Sequence, residues 1–213
     1  MNFTWIGDNF GRVGELAVTH ASLALPAILA SVVVALPIGW VAHRWPRGRD
    51  VLVSAAGILY AIPSLALFIV MPLVLGTSIV SPLNVVVALT LYGIALQVRT
   101  TADAFDSVPA VQRQTAVALG YGPLRRVLQV ELPLAGPIIL GGARVVSAST
   151  ISLISVGALI GVSSLGSLFT EGFQRSFPTE IFVGIVATVV LARLFDAVLV
   201  LIGRLSMPWR RAV

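Results

Sequence analysis

His20 and His43, the two histidines of the chain, flank an uncharged apolar run from Ala21 to Ala42. A helix of that length holds them roughly 30 Å apart, so they cannot share a metal or a proton-transfer site. The chain has no cysteine and no lysine. Disulfides, thiolate metal sites and a Gly-x-x-x-x-Gly-Lys-[Ser/Thr] phosphate loop are therefore excluded. No Ser/His/Asp set or His/Glu cluster suits an intramembrane hydrolase. The expectation is a chain with no catalytic residues, no cofactor and no metal.

The charges that stand out are those inside apolar sequence. Arg144 lies about ten residues from one end of its apolar stretch, and Asp196 lies eight residues before Arg204 in another. At 1.5 Å per residue both reach a depth of roughly 12–17 Å. A lone charge there costs at least ~2.5–3.5 kcal/mol, which predicts an Arg144–Asp196 ion pair facing the bundle interior. Arg193, one turn before Asp196, competes for the same carboxylate. Trp40, Tyr60, Phe68 and Tyr92 can line a cation-π path for a quaternary ammonium, or serve as packing and interfacial belts. Ser147, Ser149, Thr150, Ser152 and Ser155 allow close helix approach. Glu171 and Arg175, at helical spacing, form a surface pair or a partner contact.

The elements that carry these residues follow from composition. Of 213 residues, 57% are hydrophobic and 11% charged, with a mean hydropathy of +0.99. Soluble domains carry about 25% charged residues, so a water-exposed globule is excluded. Met1 to Thr19 carries Asp8, Arg12 and Glu15 and lacks the basic start of a signal peptide. Five stretches are long enough to cross a bilayer, which takes roughly 20 helical residues. They fall near 21–42, 51–74, 82–98, 134–158 and 179–203. The uncharged run from Val51 to Val98 is split at Gly76-Thr77-Ser78, with Pro82 opening the next helix. The fold class is all-α, a polytopic membrane helix bundle with an external segment 1–18, a membrane domain 19–204 and a tail 205–213. Neither a repeat nor a low-complexity tract appears, and an odd span number argues against two equal inverted halves.

Arginine placement sets the orientation. With the N-terminus outside, the inner segments hold Arg44, Arg47, Arg49, Arg99, Arg113, Arg125, Arg126, Arg204, Arg210 and Arg211, and the outer ones hold Arg12 and Arg175. That bias places the C-terminus in the cytoplasm of a plasma-membrane protein. The net charge of +5 comes from short arginine clusters with no aromatic-interleaved basic face, so no nucleic acid is expected as a partner.

The segment 99–133 is the most specific part of the chain. Pro109 to Leu119 reads as a short helix with Ser107 as its cap. Gly120-Tyr121-Gly122 supplies the left-handed stop, and Pro123 opens a second short helix. In that helix Leu124, Val127, Leu128 and Leu132 share one face, with Arg125, Arg126 and Gln129 on another. Two amphipathic helices joined at a glycine form either a docking surface or a connector lying on lipid headgroups.

The register of this loop resembles that of permease subunits of binding-protein-dependent ABC importers of the type I fold. Their signature is Glu-Ala-Ala, three residues, Gly, nine residues, Ile, one residue, Leu-Pro. This chain has Gln114-Thr115-Ala116, Gly120, Val130 and Leu132-Pro133 without a gap. Ile62-Pro63-Ser64-Leu65-Ala66-Leu67, Leu91-Tyr92, Val130 to Ala135 and Gly142-Ala143-Arg144 resemble stretches of osmoprotectant permeases, which move glycine betaine, choline, carnitine or proline. The likeness covers roughly residues 18–204. It departs at Gln114 and Thr115, and at Gly161 to Gly166, where relatives have a glycine-rich turn.

The resemblance implies a coupling loop that docks a separate ATPase dimer through Gln114, Thr115, Ala116, Gly120, Val130, Leu132 and Pro133. It also implies a second permease subunit, identical or not, and an extracytoplasmic solute-binding protein. Tyr60, Pro63, Ser64 and Tyr92 are the candidate substrate path. A permease for another small solute such as an amino acid, an ATP-independent transporter or channel subunit, and a purely structural membrane partner are the alternatives.

Overall fold

A computed structural model describes residues 3–211. After a short helix α1 (Phe3–Asp8), α2 runs unbroken from Phe10–Arg44. The first span is therefore longer than the uncharged run, and residues 10–18 continue it as helix. Pro26 and Pro37 are accommodated inside α2. Its inward face carries His20, Ala24, Ala27, Ser31, Ala35, Gly39 and Ala42, three or four residues apart. This small-residue stripe lets α5 (Pro82–Asp106) approach closely. At the crossing a Cβ on Gly39 would lie 2.5 Å from Thr101 Cβ, and one on Gly93 would meet the Ser31 hydroxyl.

The expected second span is not one straight helix. It is a pair, α3 (Pro46–Ala61) and α4 (Ser64–Leu75), bent by 100° at Ile62-Pro63. Pro63 offers no backbone donor and forces Ile62 out of the helical region, to φ −63° and ψ 130°. The apolar pattern was continuous through the break because proline is itself uncharged. Gly76 ends α4 in the left-handed conformation, at φ +66°, and Pro82 opens α5.

The loop at the far end of α5 holds α6 (Ala110–Ala118) and α7 (Pro123–Arg126). A single wide π-turn, Val127–Glu131, then joins α7 to α8 (Leu132–Ile154). The second loop helix is thus the first turn of the fourth span and not a separate element. A 3-10 turn (Ser155–Ile160) and a left-handed Gly161 lead to α9 (Ser167–Gln174) and α10 (Pro178–Ser206). Gly166 is required in that connection, since a Cβ there would sit 2.3 Å from the Ser155 carbonyl oxygen.

Helices α2, α5 and α8 form the centre of the bundle. One apolar core gathers Leu23, Ile28, Phe68, Leu89, Tyr92, Ile151 and Ile154. A second, at the loop end, gathers Phe105, Val108, Ala135 and Ile139. His20 pins α2 to α8, its Nε2–H donating to the Ile151 carbonyl at 2.9 Å. Gln97 does the same between α5 and α8, donating to the Ile139 carbonyl at 3.0 Å. The apolar stretch of α10 is only 6% buried within the chain. Among the described residues, four continuous helical stretches, 10–44, 82–106, 123–160 and 178–206, and the bent pair are long and apolar enough to cross a membrane.

Candidate functional site

The chain turns at Gly120 with φ +79°. Tyr121 N–H donates back to the Ala116 carbonyl at 3.0 Å and Gly120 N–H to that of Val117 at 2.9 Å. These are the two bonds of a Schellman stop. Gly122 is extended, and Pro123 sits in the first turn of α7. Ser107 is not the cap of α6. It closes α5 instead, its hydroxyl donating to the Ala104 carbonyl at 2.7 Å, and Pro109 occupies the cap position without a side-chain bond.

Ala116 is buried, while Gln114 and Thr115 are exposed. Val111, Val117, Leu119, Leu124 and Leu128 are all more than half exposed. The predicted apolar face of the second helix is therefore split. Val127 and Leu132 pack on the second core, and Leu124 and Leu128 point away from it. The wide π-turn changes the angular spacing, which is what moves Leu128 off the shared face. Val130 and Pro133 are half-buried at the base. Of the loop residues singled out in the sequence, Gln114, Thr115 and Gly120 are exposed, Ala116 is buried, Val130 and Pro133 are half-buried, and Leu132 packs on the second core.

Polar contacts fix this knuckle, and sequence reasoning missed them. Arg113 of α6 donates to His43 Nε2 at 3.3 Å, and His43 Nδ1 meets Asp106 at 2.5 Å. Arg49 bonds Asp106 and also Asp103, the latter at 2.5 Å. The first loop helix is thereby tied to the ends of α2, α3 and α5. Arg126 bonds the buried Glu131 at 2.8 Å across the π-turn. Five-residue spacing hid that pair, because it shares a face only where the helix widens.

At mid-depth Arg144 grips Asp196 with two bonds, Nε to Oδ1 at 2.5 Å and Nη2 to Oδ2 at 3.0 Å. The pair bridges α8 and α10 but is not interior to the chain: the side chains are 45% and 27% exposed. Phe68 is fully buried in the core, and Trp40 packs on the second core under Arg44. Tyr60 and Tyr92 stand edge to face at 5.8 Å, with Tyr60 exposed and Tyr92 buried. Pro63 and Ser64 form the break beside them. Of the span-four hydroxyls, Ser147 and Thr150 are buried.

Away from the loop, Glu171 and Arg175 belong to a larger cluster. Arg175 reaches Glu171 at 2.8 Å and Glu180 at 3.0 Å, and Arg12 reaches the same two acids at 2.5 Å and 3.4 Å. Two arginines and two glutamates clamp α2, α9 and α10 together. Sequence distance concealed the Arg12 contribution.

A bundle of membrane-length helices with an exposed apolar knuckle at one end and an ion pair along two of its helices is the architecture of a membrane protein. The family model described as binding-protein-dependent transport system inner membrane component matches residues 27–211, and the chain belongs to that family. It is 33% identical over 194 residues to the osmoprotectant import permease protein OsmW of Salmonella typhimurium, covering 89% of each chain. It is 30% identical over 204 residues to the choline transport system permease protein OpuBB of Bacillus subtilis, covering 96% of this chain and 93% of that one. Among solved structures, the MetNI methionine ABC transporter in an inward-facing conformation matches with a TM-score of 0.79 at 19% identity, covering 97% of this chain and 99% of that one. An amino acid ABC transporter with histidines matches at 0.77 and 16% identity, covering 96% and 98%. Those two likenesses show the fold. The protein is a multi-pass inner-membrane permease subunit of a type I ABC importer, a family that works with an ATPase and a binding protein.

Proposed function

We propose that this chain forms half of the translocation pathway for a compatible solute such as glycine betaine, choline, carnitine or proline. Two permease subunits, alike or not, face each other, with the N-terminus outside and the C-terminus in the cytoplasm. The knuckle at Gly120 docks a separate ATPase, and closure of the ATPase dimer moves it to open the cavity outward. The chain itself catalyses nothing. The observation that carries the coupling role is the exposed apolar knuckle around Gln114 and Thr115, braced from below by the Arg113–His43–Asp106–Arg49 network. An exposed apolar patch on a braced support suits a protein partner better than a passive connector. The solute class is supported by the osmoprotectant and choline permeases to which the chain is similar.

Uptake of labelled glycine betaine, choline, carnitine, proline and methionine decides the matter, in cells making this chain with its ATPase and binding protein. Accumulation of one or more of the first four is expected. Accumulation of methionine alone overturns the solute class.

A further inference from the structure

Arg193 is the cation that the mid-depth pairing leaves over. Asp196 gives both oxygens to Arg144. Arg193 acts on Asp196 electrostatically from one turn away, with no ion pair of its own among the described residues. With Gly141, Arg144, Ser147, Ala192 and Asp196 it lines a cleft of about 380 Å³ between α8 and α10. Two arginines and one aspartate give that cleft a formal charge of +1. The buried Ser147 hydroxyl also lines it and has no hydrogen-bond partner among the described residues. A spare guanidinium and a spare hydroxyl beside a fixed ion pair are the donors a carboxylate needs.

The position excludes hydrocarbon as the neighbour. Arg144 is twelve residues into α8 from Leu132, and Arg193 is thirteen residues before the end of α10 at Ser206. At 1.5 Å per residue both lie roughly 18–20 Å from the loop end, near the middle of a core about 30 Å thick. Exposed charge at that depth faces a water-filled passage or a protein partner, not lipid. We propose that this cleft is a mid-membrane station on the solute path, where Arg193 binds the carboxylate of a zwitterion. Arg144 already neutralises Asp196, so the one net positive charge of the cleft is that of Arg193, and a zwitterion offers it a carboxylate. Choline, cationic and without a carboxylate, meets a net positive cleft. The solute path is therefore selective for betaine, carnitine or proline over choline. This deepens the osmoprotectant reading and rests on it for the solute's cationic end.

The test uses the whole transporter in proteoliposomes, with saturating binding protein, and reads solute moved per ATP hydrolysed. The probes are labelled glycine betaine, choline and methionine, and the variants are Arg193→Gln and Arg193→Lys. The expected result is a fall of about tenfold or more in the glycine betaine ratio with Arg193→Gln, the loss of one charge-assisted contact. Stimulated ATP hydrolysis should persist, Arg193→Lys should recover most of the ratio, and the lower choline ratio should not fall further. An unchanged glycine betaine ratio in Arg193→Gln overturns the station. So does equal loss of transport and ATP hydrolysis, the mark of a structural role, and so does wild-type choline transport as efficient as that of betaine. Carriage of methionine alone, with its ratio lowered by Arg193→Gln, supports the carboxylate station while overturning the osmoprotectant reading.

Discussion

The Tyr92 hydroxyl donates to the carbonyl of Ile62, the residue at which the second membrane segment breaks. Ile62 lies between the two helices at this bend, and a side chain from α5 gives its carbonyl a donor. The bend of 100° is thus held from the neighbouring helix as well as by proline. The same contact sets the height of the Tyr60–Tyr92 edge-to-face pair relative to the break.

Tyr92→Phe keeps the ring and removes the donor. The expected cost is about 0.5–1.5 kcal/mol, that of one neutral hydrogen bond. Thermal unfolding of the detergent-solubilised complex should show a lower midpoint, and Tyr60→Phe should not. Equal midpoints for wild type and Tyr92→Phe would remove the hydroxyl from any role in the bend.

The cluster that joins α2, α9 and α10 gives a second expectation. Glu180 is fully buried and lies in the first turn of α10, where a negative charge also favours the helix N-terminus. Glu171 is 35% exposed and is screened by water. Glu180→Ala should therefore cost more than Glu171→Ala, about 1–3 kcal/mol for the former. Both arginines remain partly exposed, which keeps the loss below that of a sealed ion pair. Midpoints measured at low and high salt should show a salt-sensitive Glu171→Ala effect and a salt-insensitive Glu180→Ala effect.

Much of this fold was legible in the chain, and the illegible parts share a cause. Apolar runs marked where the long helices lie, though the first runs on to Phe10 and the second is a bent pair, and glycine or proline located the stops at Gly76, Gly120 and Pro123, because these residues act on the backbone locally. Depth arithmetic paired Arg144 with Asp196 because a membrane restricts which charges can meet. It also placed the pair facing the bundle interior, and that part fails within this chain, since exposure depends on how α8 and α10 are rotated. Pro63 was visible as a residue, but whether a membrane proline bends its helix depends on neighbours: Pro26 sits inside an unbroken α2. Likewise, the Arg12–Glu180 and His43–Asp106 contacts join helices far apart in sequence, and no periodicity reports such contacts.

Exchange of charge tests the mid-depth pair. Arg144→Asp alone places two acids in one cleft, and Asp196→Arg alone places three cations there. Each should reduce assembled permease in the membrane, since uncompensated charge at helix centre costs at least ~2.5–3.5 kcal/mol. The double variant should assemble better than either single one. If it assembles no better, the two residues do not act as a pair during assembly.

The Gly120 turn carries the most decisive expectation for coupling. Its φ of +79° is one that a side chain with Cβ adopts only at a cost of roughly 1–2 kcal/mol, and more when β-branched. Space is not the obstacle, because nothing lies within 4 Å of a Cβ placed there. The strain acts only on the two Schellman bonds that set α6 against α7, while the spans are held by their own packing. Gly120→Val should therefore leave membrane insertion nearly intact, weaken ATPase co-purification and abolish uptake. Gly120→Ala should show the same defects to a smaller degree, and Gly120→Asn, which tolerates this conformation, smaller still. Gln114→Glu, which restores the residue of the family signature on the exposed side of the knuckle, should leave ATPase retention unchanged or raise it. Pull-down of the ATPase from solubilised membranes reads all four. Full retention and normal uptake with Gly120→Val would mean that the loop only connects two spans, and coupling would have to be sought elsewhere on the chain.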